Sequence, residues 1–195
     1  MFTIQTEQLK AVAPFMGKGD IREYLNGVCV DVDRAGNVRL VGSDGHRLAV
    51  VRAWSLAEPL AGHQFILDGE AMRDLAKSRA DQLDVIPGEG FWLVGDRRVK
   101  LVEGRYPDWH RVIPDLDDLG EPEPATFNPA LLKAFADVSK VLTGKVHNVD
   151  VFQRGQRGGS VVTISGRDDF LGILMPMRSS ATYAPSRAIF GWVMA

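Results

Sequence analysis

Apolar and polar positions along the chain alternate at two spacings, and the two spacings recur in the same order three times. FTIQTEQLKAVA (2–13), FILDGEAMRDLA (65–76) and ATFNPALLKAFA (125–136) align in register. Ile4, Leu67 and Phe127 each end a short strand-like run, and Gln5, Asp68 and Asn128 follow. Asp68 and Asn128 are good helix caps, and Pro129 suits a first helical position. Then come Leu9, Met72 and Leu132, a basic residue each time (Lys10, Arg73, Lys133), Val12, Leu75 and Phe135, and finally Ala13, Ala76 and Ala136. Each stretch predicts a strand entering an amphipathic helix. After each helix come three short runs rich in valine, isoleucine or aromatic residues, punctuated by turn residues such as Gly36-Asn37, Asp44-Gly45 and Gly158-Gly159. The pattern predicts three modules of strand, helix and three strands, at a spacing of 60 to 63 residues. Such modules make an α+β fold, with a helix on one face of an antiparallel sheet and the sheets of adjacent modules continuing one another.

Composition sharpens the organisation more than the chemistry. The 195 residues are 45% hydrophobic and 25% charged, ordinary values for a globular chain able to bury a sizeable core. The net charge of −2 argues against a polycation that coats nucleic acid. It hides a local run: DLDDLGEPEP (115–124) carries a charge of −5, which leaves +3 for the rest. Like charge with Pro122 and Pro124 predicts an extended solvated linker. The expected division is therefore 1–114 (modules 1–60 and 63–114), the linker 115–124, a lone module at 125–179, and a tail at 180–195. The single cysteine, Cys29, excludes an internal disulfide and fits a reducing compartment. No apolar run approaches the ~20 residues of a membrane span, and the start lacks a basic region followed by an apolar stretch, so a cytoplasmic address without membrane contact is expected.

Catalytic chemistry finds no footing. His46, His63, His110 and His147 lack metal-ligand spacing, and no cofactor is expected. Ser43, Asp44 and His46 read as one tight turn, because neighbours on a turn rarely converge as nucleophile, orienter and base. No phosphate-binding glycine loop occurs.

Four strings carry a family resemblance: DIREYLNGV (20–28), LVGSDGHRLAV (40–50), LVEGRYPDWHRVIP (101–114) and FLGILMPMR (170–178). In this order and separation they resemble the bacterial DNA sliding clamp, the β subunit of DNA polymerase III. The resemblance spans about 1–178. It implies a DNA-clamp-type repeat whose helices face DNA, and a non-enzymatic processivity or accessory factor in DNA replication or repair. Family clamps have three domains of two modules each. This chain carries counterparts of the middle domain and of the final half-domain. An odd number of modules cannot keep the alternation of contacts within and between domains among identical head-to-tail subunits, although three divides evenly into a ring of twelve. An open adaptor or decoy, binding clamp-binding peptides without encircling DNA, is the alternative.

The resemblance implies two sets of residues. A cleft for short apolar peptides of DNA polymerase and clamp loader maps to Leu25, Ser43, Gly45, His46, Arg47, Leu48, Pro107, Arg111, Val112, Met175, Pro176, Met177 and Arg178. Its logic is an apolar groove with adaptable methionines and a rim of arginine donors. A set facing double-stranded DNA maps to Arg22 and Tyr24 by resemblance. The repeat adds Lys10, Arg73 and Lys133 at one shared helical position, with Lys77 and Lys140 on the same faces. A homo-oligomer is the expected assembly. The tail, with Tyr183, Ile189, Phe190, Trp192 and Val193, is apolar enough to cover the lone module or occupy a cleft.

Overall fold

The computed structural model describes residues 1–114, 125–145, 147–153 and 158–177. The first repeat forms β1 (Phe2–Gln5), α1 (Thr6–Val12), β2 (Val28–Val32), β3 (Asn37–Ser43) and β4 (Arg47–Leu56). The second forms β5 (Gln64–Leu67), α2 (Gly69–Leu75), β6 (Gln82–Ile86), β7 (Phe91–Val94) and β8 (Arg97–Lys100). The third opens on a bridge between Thr126 and Met177, then forms α3 (Pro129–Thr143), β9 (Val149–Phe152), β10 (Ser160–Ile164) and β11 (Arg167–Leu174).

The helix starts follow the cap residues. Asp68 accepts the Ala71 N–H at 2.9 Å and Asn128 the Ala130 N–H at 2.9 Å. Gln5 is an unusual cap, and the Gln8 side chain compensates by accepting the Gln5 N–H at 2.8 Å. Gly144, at φ 76°, ends α3 in the left-handed conformation that a side chain would disfavour.

The strands do not stay within their repeats. β1 pairs with β6 of the second repeat, and β5 pairs with β2 of the first. This reciprocal exchange produces a four-stranded sheet, β1-β6-β7-β8, and a seven-stranded sheet, β5-β2-β3-β4-β11-β10-β9. The third repeat joins the first through an antiparallel ladder between β4 and β11, from Val51 opposite Phe170 to Arg47 opposite Leu174.

Alternation gives the seven-stranded sheet two apolar faces. The helical face packs Leu9, Val12, Phe15, Met72, Phe135 and Val138 against strand residues such as Leu40, Val51, Phe170 and Leu174. Phe135 meets Phe15 edge-on at 4.9 Å, over Gly172. A Cβ on Gly172 would stand 2.3 Å from the Phe135 ring, so the close approach requires glycine. Arg167 ties the repeats together: it bonds Glu7 at 3.0 Å, Asp169 at 2.7 Å and the Leu142 carbonyl. Burial opposes the charge on Asp169, but the Arg167 guanidinium holds its carboxyl below the usual range.

The opposite face carries Leu25, Cys29, Val41, Leu48, Val50, Ile66, Val161 and Ile173. Its cover is the connection that leaves β8, through Val102, Tyr106, Trp109 and Ile113. Burial pushes the Cys29 thiol well up, which keeps it protonated and inert.

Candidate functional site

The cover on the second face is incomplete. Where the connection runs past the ends of β3, β4 and β11 it leaves a cleft of about 230 Å³. The floor is Leu25, Leu48 and Ile173, all under 5% exposed. Tyr106, Pro107 and Trp109 form one wall, and Val112 and Met175, 44% and 36% exposed, stand at the mouth. Of the positions mapped from sequence, the structure places Leu25, Ser43, Gly45, Arg47, Leu48, Pro107, Val112 and Met175 together in this lining. They come from four separate segments, and three backbone devices converge them.

The first device is the turn from Ser43 to Arg47. Ser43 Oγ donates to the Arg47 carbonyl at 2.9 Å, and Asp44 Oδ1 accepts the N–H groups of His46 and Arg47 at 2.9 and 3.0 Å. Ser43, Asp44 and His46 thus form a tight turn. Gly45 has φ 84°, and a Cβ there would lie 3.0 Å from the Arg22 guanidinium. The second device is the extension of β11 beyond its last strand residue, where Met175 N–H donates to the His46 carbonyl at 2.9 Å. The third is the loop before β2. There Arg22 grips Asp20 through Nε and Nη2 at 2.9 and 2.7 Å, and this hydrogen bonding lowers the Asp20 pKa to about 2.

The remaining mapped positions stand differently. His46 contributes its carbonyl, while Arg111 is exposed in the helical turn Trp109–Val112. Pro176 and Met177 continue the strand, and Met177 N–H donates to Thr126 O at 2.7 Å. Arg178, the 115–124 segment and the 180–195 tail lie outside the described residues. Arg47 reaches the lining, but its guanidinium is engaged with Asp44 at 2.9 Å and the Pro14 carbonyl at 2.9 Å, and it stands 5.1 Å from the Phe15 ring centre.

Tyr106, Trp109 and Ile173 line the cleft without having been singled out from sequence. Tyr106 and Trp109 lie inside the 101–114 string, where two aromatics in a Pro-containing connection were the available signal. Both carry a buried donor with no hydrogen-bond partner among the described residues, Tyr106 Oη and Trp109 Nε1. The Tyr106 hydroxyl lies beside the Ser43 backbone without hydrogen-bond geometry, and burial raises its pKa strongly.

Arg22 and Tyr24 also line this cleft. The rest of the cationic set lies on the helices. Arg73 donates to the Gly17 carbonyl, Lys77 pairs with Asp74 at 2.8 Å, and Lys133 pairs with Asp137 at 2.6 Å. Lys10 is half-buried and Lys140 exposed. A larger, more open groove of about 1090 Å³ runs past Arg39, Arg52, Arg167 and Asp169. Its cations are already engaged: Arg39 with Asp31 and Asp33, Arg167 with Asp169 and Glu7, and Arg52 over Trp54. The smaller cleft is the better ligand site because its floor is apolar and it is the more enclosed of the two. Among the described residues no cluster of His, Cys, Asp and Glu could hold a metal ion. No described helix is long and apolar enough to cross a membrane.

The exchange of leading strands, the row of helices on one face and the continuous sheet define a DNA-clamp fold. The solved sliding clamp from Pseudomonas aeruginosa with ligand superposes with a TM-score of 0.69 at 21% identity, over 91% of this chain and 65% of that one. The sliding clamp from Bartonella birtlesii bound to griselimycin gives 0.73 at 18% identity over the same shares. The family model of the DNA polymerase III beta subunit, central domain, matches residues 4–108, and the chain belongs to that family. The beta sliding clamp of Pseudomonas aeruginosa is 32% identical over 110 residues, and that of Proteus mirabilis 38% over 107. Each alignment covers 51% of this chain and 29% of the relative, so the match spans less than a third of these relatives' length. Its homologues are sliding clamps, which are non-catalytic processivity factors.

Proposed function

We propose that the chain is a sliding-clamp-like accessory factor of DNA replication or repair, and that its cleft docks short apolar peptide motifs of DNA polymerases or of a clamp loader. One observation carries this reading. Four distant segments meet in a single apolar cleft whose wall holds two buried donors, Tyr106 Oη and Trp109 Nε1, that make no hydrogen bond among the described residues. A buried donor without a partner costs free energy that a peptide carbonyl can recover after a small shift of the wall. Val112 and Met175 at the mouth supply apolar area, and methionine adapts to varied side chains.

The test is fluorescence anisotropy with a labelled clamp-binding peptide from a bacterial replicative polymerase. Saturable binding is expected. Met175→Asp should weaken it about tenfold or more, because a charge at the mouth must be desolvated under the ligand. Since Met175 is partly exposed, its circular dichroism spectrum should stay unchanged. Absence of saturable binding would overturn the docking role.

The second reading, an adaptor that does not encircle DNA, is favoured by the cationic set. Arg22, Lys77 and Lys133 are matched by neighbouring carboxylates, and Arg73 is engaged by a carbonyl, which among the described residues leaves Lys10 and Lys140 of that set for phosphates. Lys133→Glu with Lys140→Glu separates the two. Retention on closed circular DNA should fall if the protein encircles it, and peptide affinity should hold in either case.

A further inference from the structure

One strand pattern occurs twice in this chain with opposite surroundings. Gln82-Leu83-Asp84-Val85-Ile86 makes β6, and Asn148-Val149-Asp150-Val151-Phe152 makes β9 with the residue before it. They match type by type. β6 is held on one edge by β7 and on the other by β1, and Leu83 and Val85 are 5% and 1% exposed. β9 pairs with β10 alone among the described residues; Val149, the counterpart of Leu83, is partly buried, and Val151, the counterpart of Val85, is 37% exposed.

The repeat identifies the missing neighbour. In the first two repeats the leading strand lies between its own closing strand and the partner repeat's first strand after the helix. β1 pairs with β6 on one edge and touches β4 on the other, where Ser55 Oγ donates to the Thr3 carbonyl at 2.6 Å. β5 pairs with β2 on one edge and bridges from Leu67 to Leu101, just past β8, on the other. In the third repeat Thr126 bridges Met177, just past β11, so its own closing strand is in place. Among the described residues the second half of the arrangement is open at both ends: at the 125–128 segment and at β9.

We propose that this edge docks a second copy of the chain, with residues 125–128 of each copy laid along β9 of the other. The register follows from β1 on β6, where Ile4 faces Leu83, Thr3 faces Asp84 and Phe2 faces Val85. In the dimer Phe127 faces the partner's Val149, Thr126 the partner's Asp150 and Ala125 the partner's Val151. The threonine–aspartate pair is repeated unchanged. The 125–128 segment keeps its bridge to Met177, and the two ladders are related by a two-fold axis that closes the contact at two copies. The other free edge does not extend the assembly. β8 carries Arg97, Arg98 and Lys100, and pairing it with itself sets like charges opposite one another. The inference rests on the repeat and is independent of what the cleft binds.

The experiment is sedimentation velocity of the full chain, mass 21.4 kDa. A species of twice that mass is expected. Val151→Lys should return it to one chain without changing its circular dichroism, because Val151 is partly exposed in the single chain. As a test that does not depend on that variant folding, Thr126→Cys with Asp150→Cys should give disulfide-linked dimers on mild oxidation, and Thr126→Cys alone should give none; Cys29 is buried and silent. A monomer at every accessible concentration overturns the proposal. So does a dimer that Val151→Lys leaves intact, or a cysteine pair that does not cross-link.

Discussion

The two faces of the seven-stranded sheet are built from the same strands and finished differently. On β11, Phe170, Gly172 and Leu174 point to the helices, while Leu171 and Ile173 point to the other side. The helical face is filled to the point that one glycine must be kept free of a Cβ beneath Phe135. The other face is covered by one irregular connection and left open beside Ile173. A helix can press a continuous stripe of side chains onto a sheet, and an extended connection cannot. Stability is therefore concentrated on one face, and the room for a ligand lies on the other.

Substitutions on the two faces should separate stability from binding. The largest effect falls on the helical side. Phe135→Ala removes a fully buried ring and should lower unfolding free energy by about 3–5 kcal/mol in urea titrations, with peptide affinity of the folded fraction unchanged. Ile173→Ala, one residue from Gly172 but on the cleft side, should cost about 2 kcal/mol, because the cleft gives the site room to relax. It should also weaken peptide binding. Equal costs at the two positions, or binding loss at Phe135, would break the comparison. Val112→Ser, at the mouth, should change stability by no more than about 0.5 kcal/mol. Its peptide affinity, read by anisotropy, should drop about fivefold.

The smallest effect is a pH response at the rim. The Asp20 carboxyl sits at about 2 instead of 3.8 because Arg22 hydrogen-bonds it. A depressed carboxylate contributes stability that is fully present above its ordinary value and is lost as pH falls through about 2. The pair is exposed, so global stability should barely register it. A carbon-detected NMR titration should find the Asp20 midpoint near 2, and Arg22→Ala should return it towards 3.8. An ordinary midpoint in the unsubstituted chain would remove the rim clasp from the account.

Much of this was legible in the sequence, for local reasons. Cap residues, helix stripes and strand alternation are short-range signals: the second and third repeats show the cap at Asp68 and Asn128, and all three show the stripe at Leu9, Met72 and Leu132. The exchange of β1 and β5 was not legible. A strand's pattern states which face is apolar, and it does not state which edge finds which neighbour. The same limit applies to β9, whose sequence matches that of β6 while its surroundings differ. In the cleft, the four strings brought eight mapped positions to one place. The strings did not separate lining from support. Arg47 reads as a rim donor and is held by Asp44 and Pro14, whereas Tyr106 and Trp109 read as connection residues and form the wall.

The most direct test of the central claim watches the wall itself. In two-dimensional NMR of the isotope-labelled protein, the Trp109 indole N–H should start without a hydrogen-bond partner and shift on titration with a clamp-binding peptide. That shift should saturate together with the Met175 and Val112 methyl signals, while the Lys133 and Lys140 amides stay in place. A bound peptide that leaves the Trp109 indole signal unmoved would contradict the account.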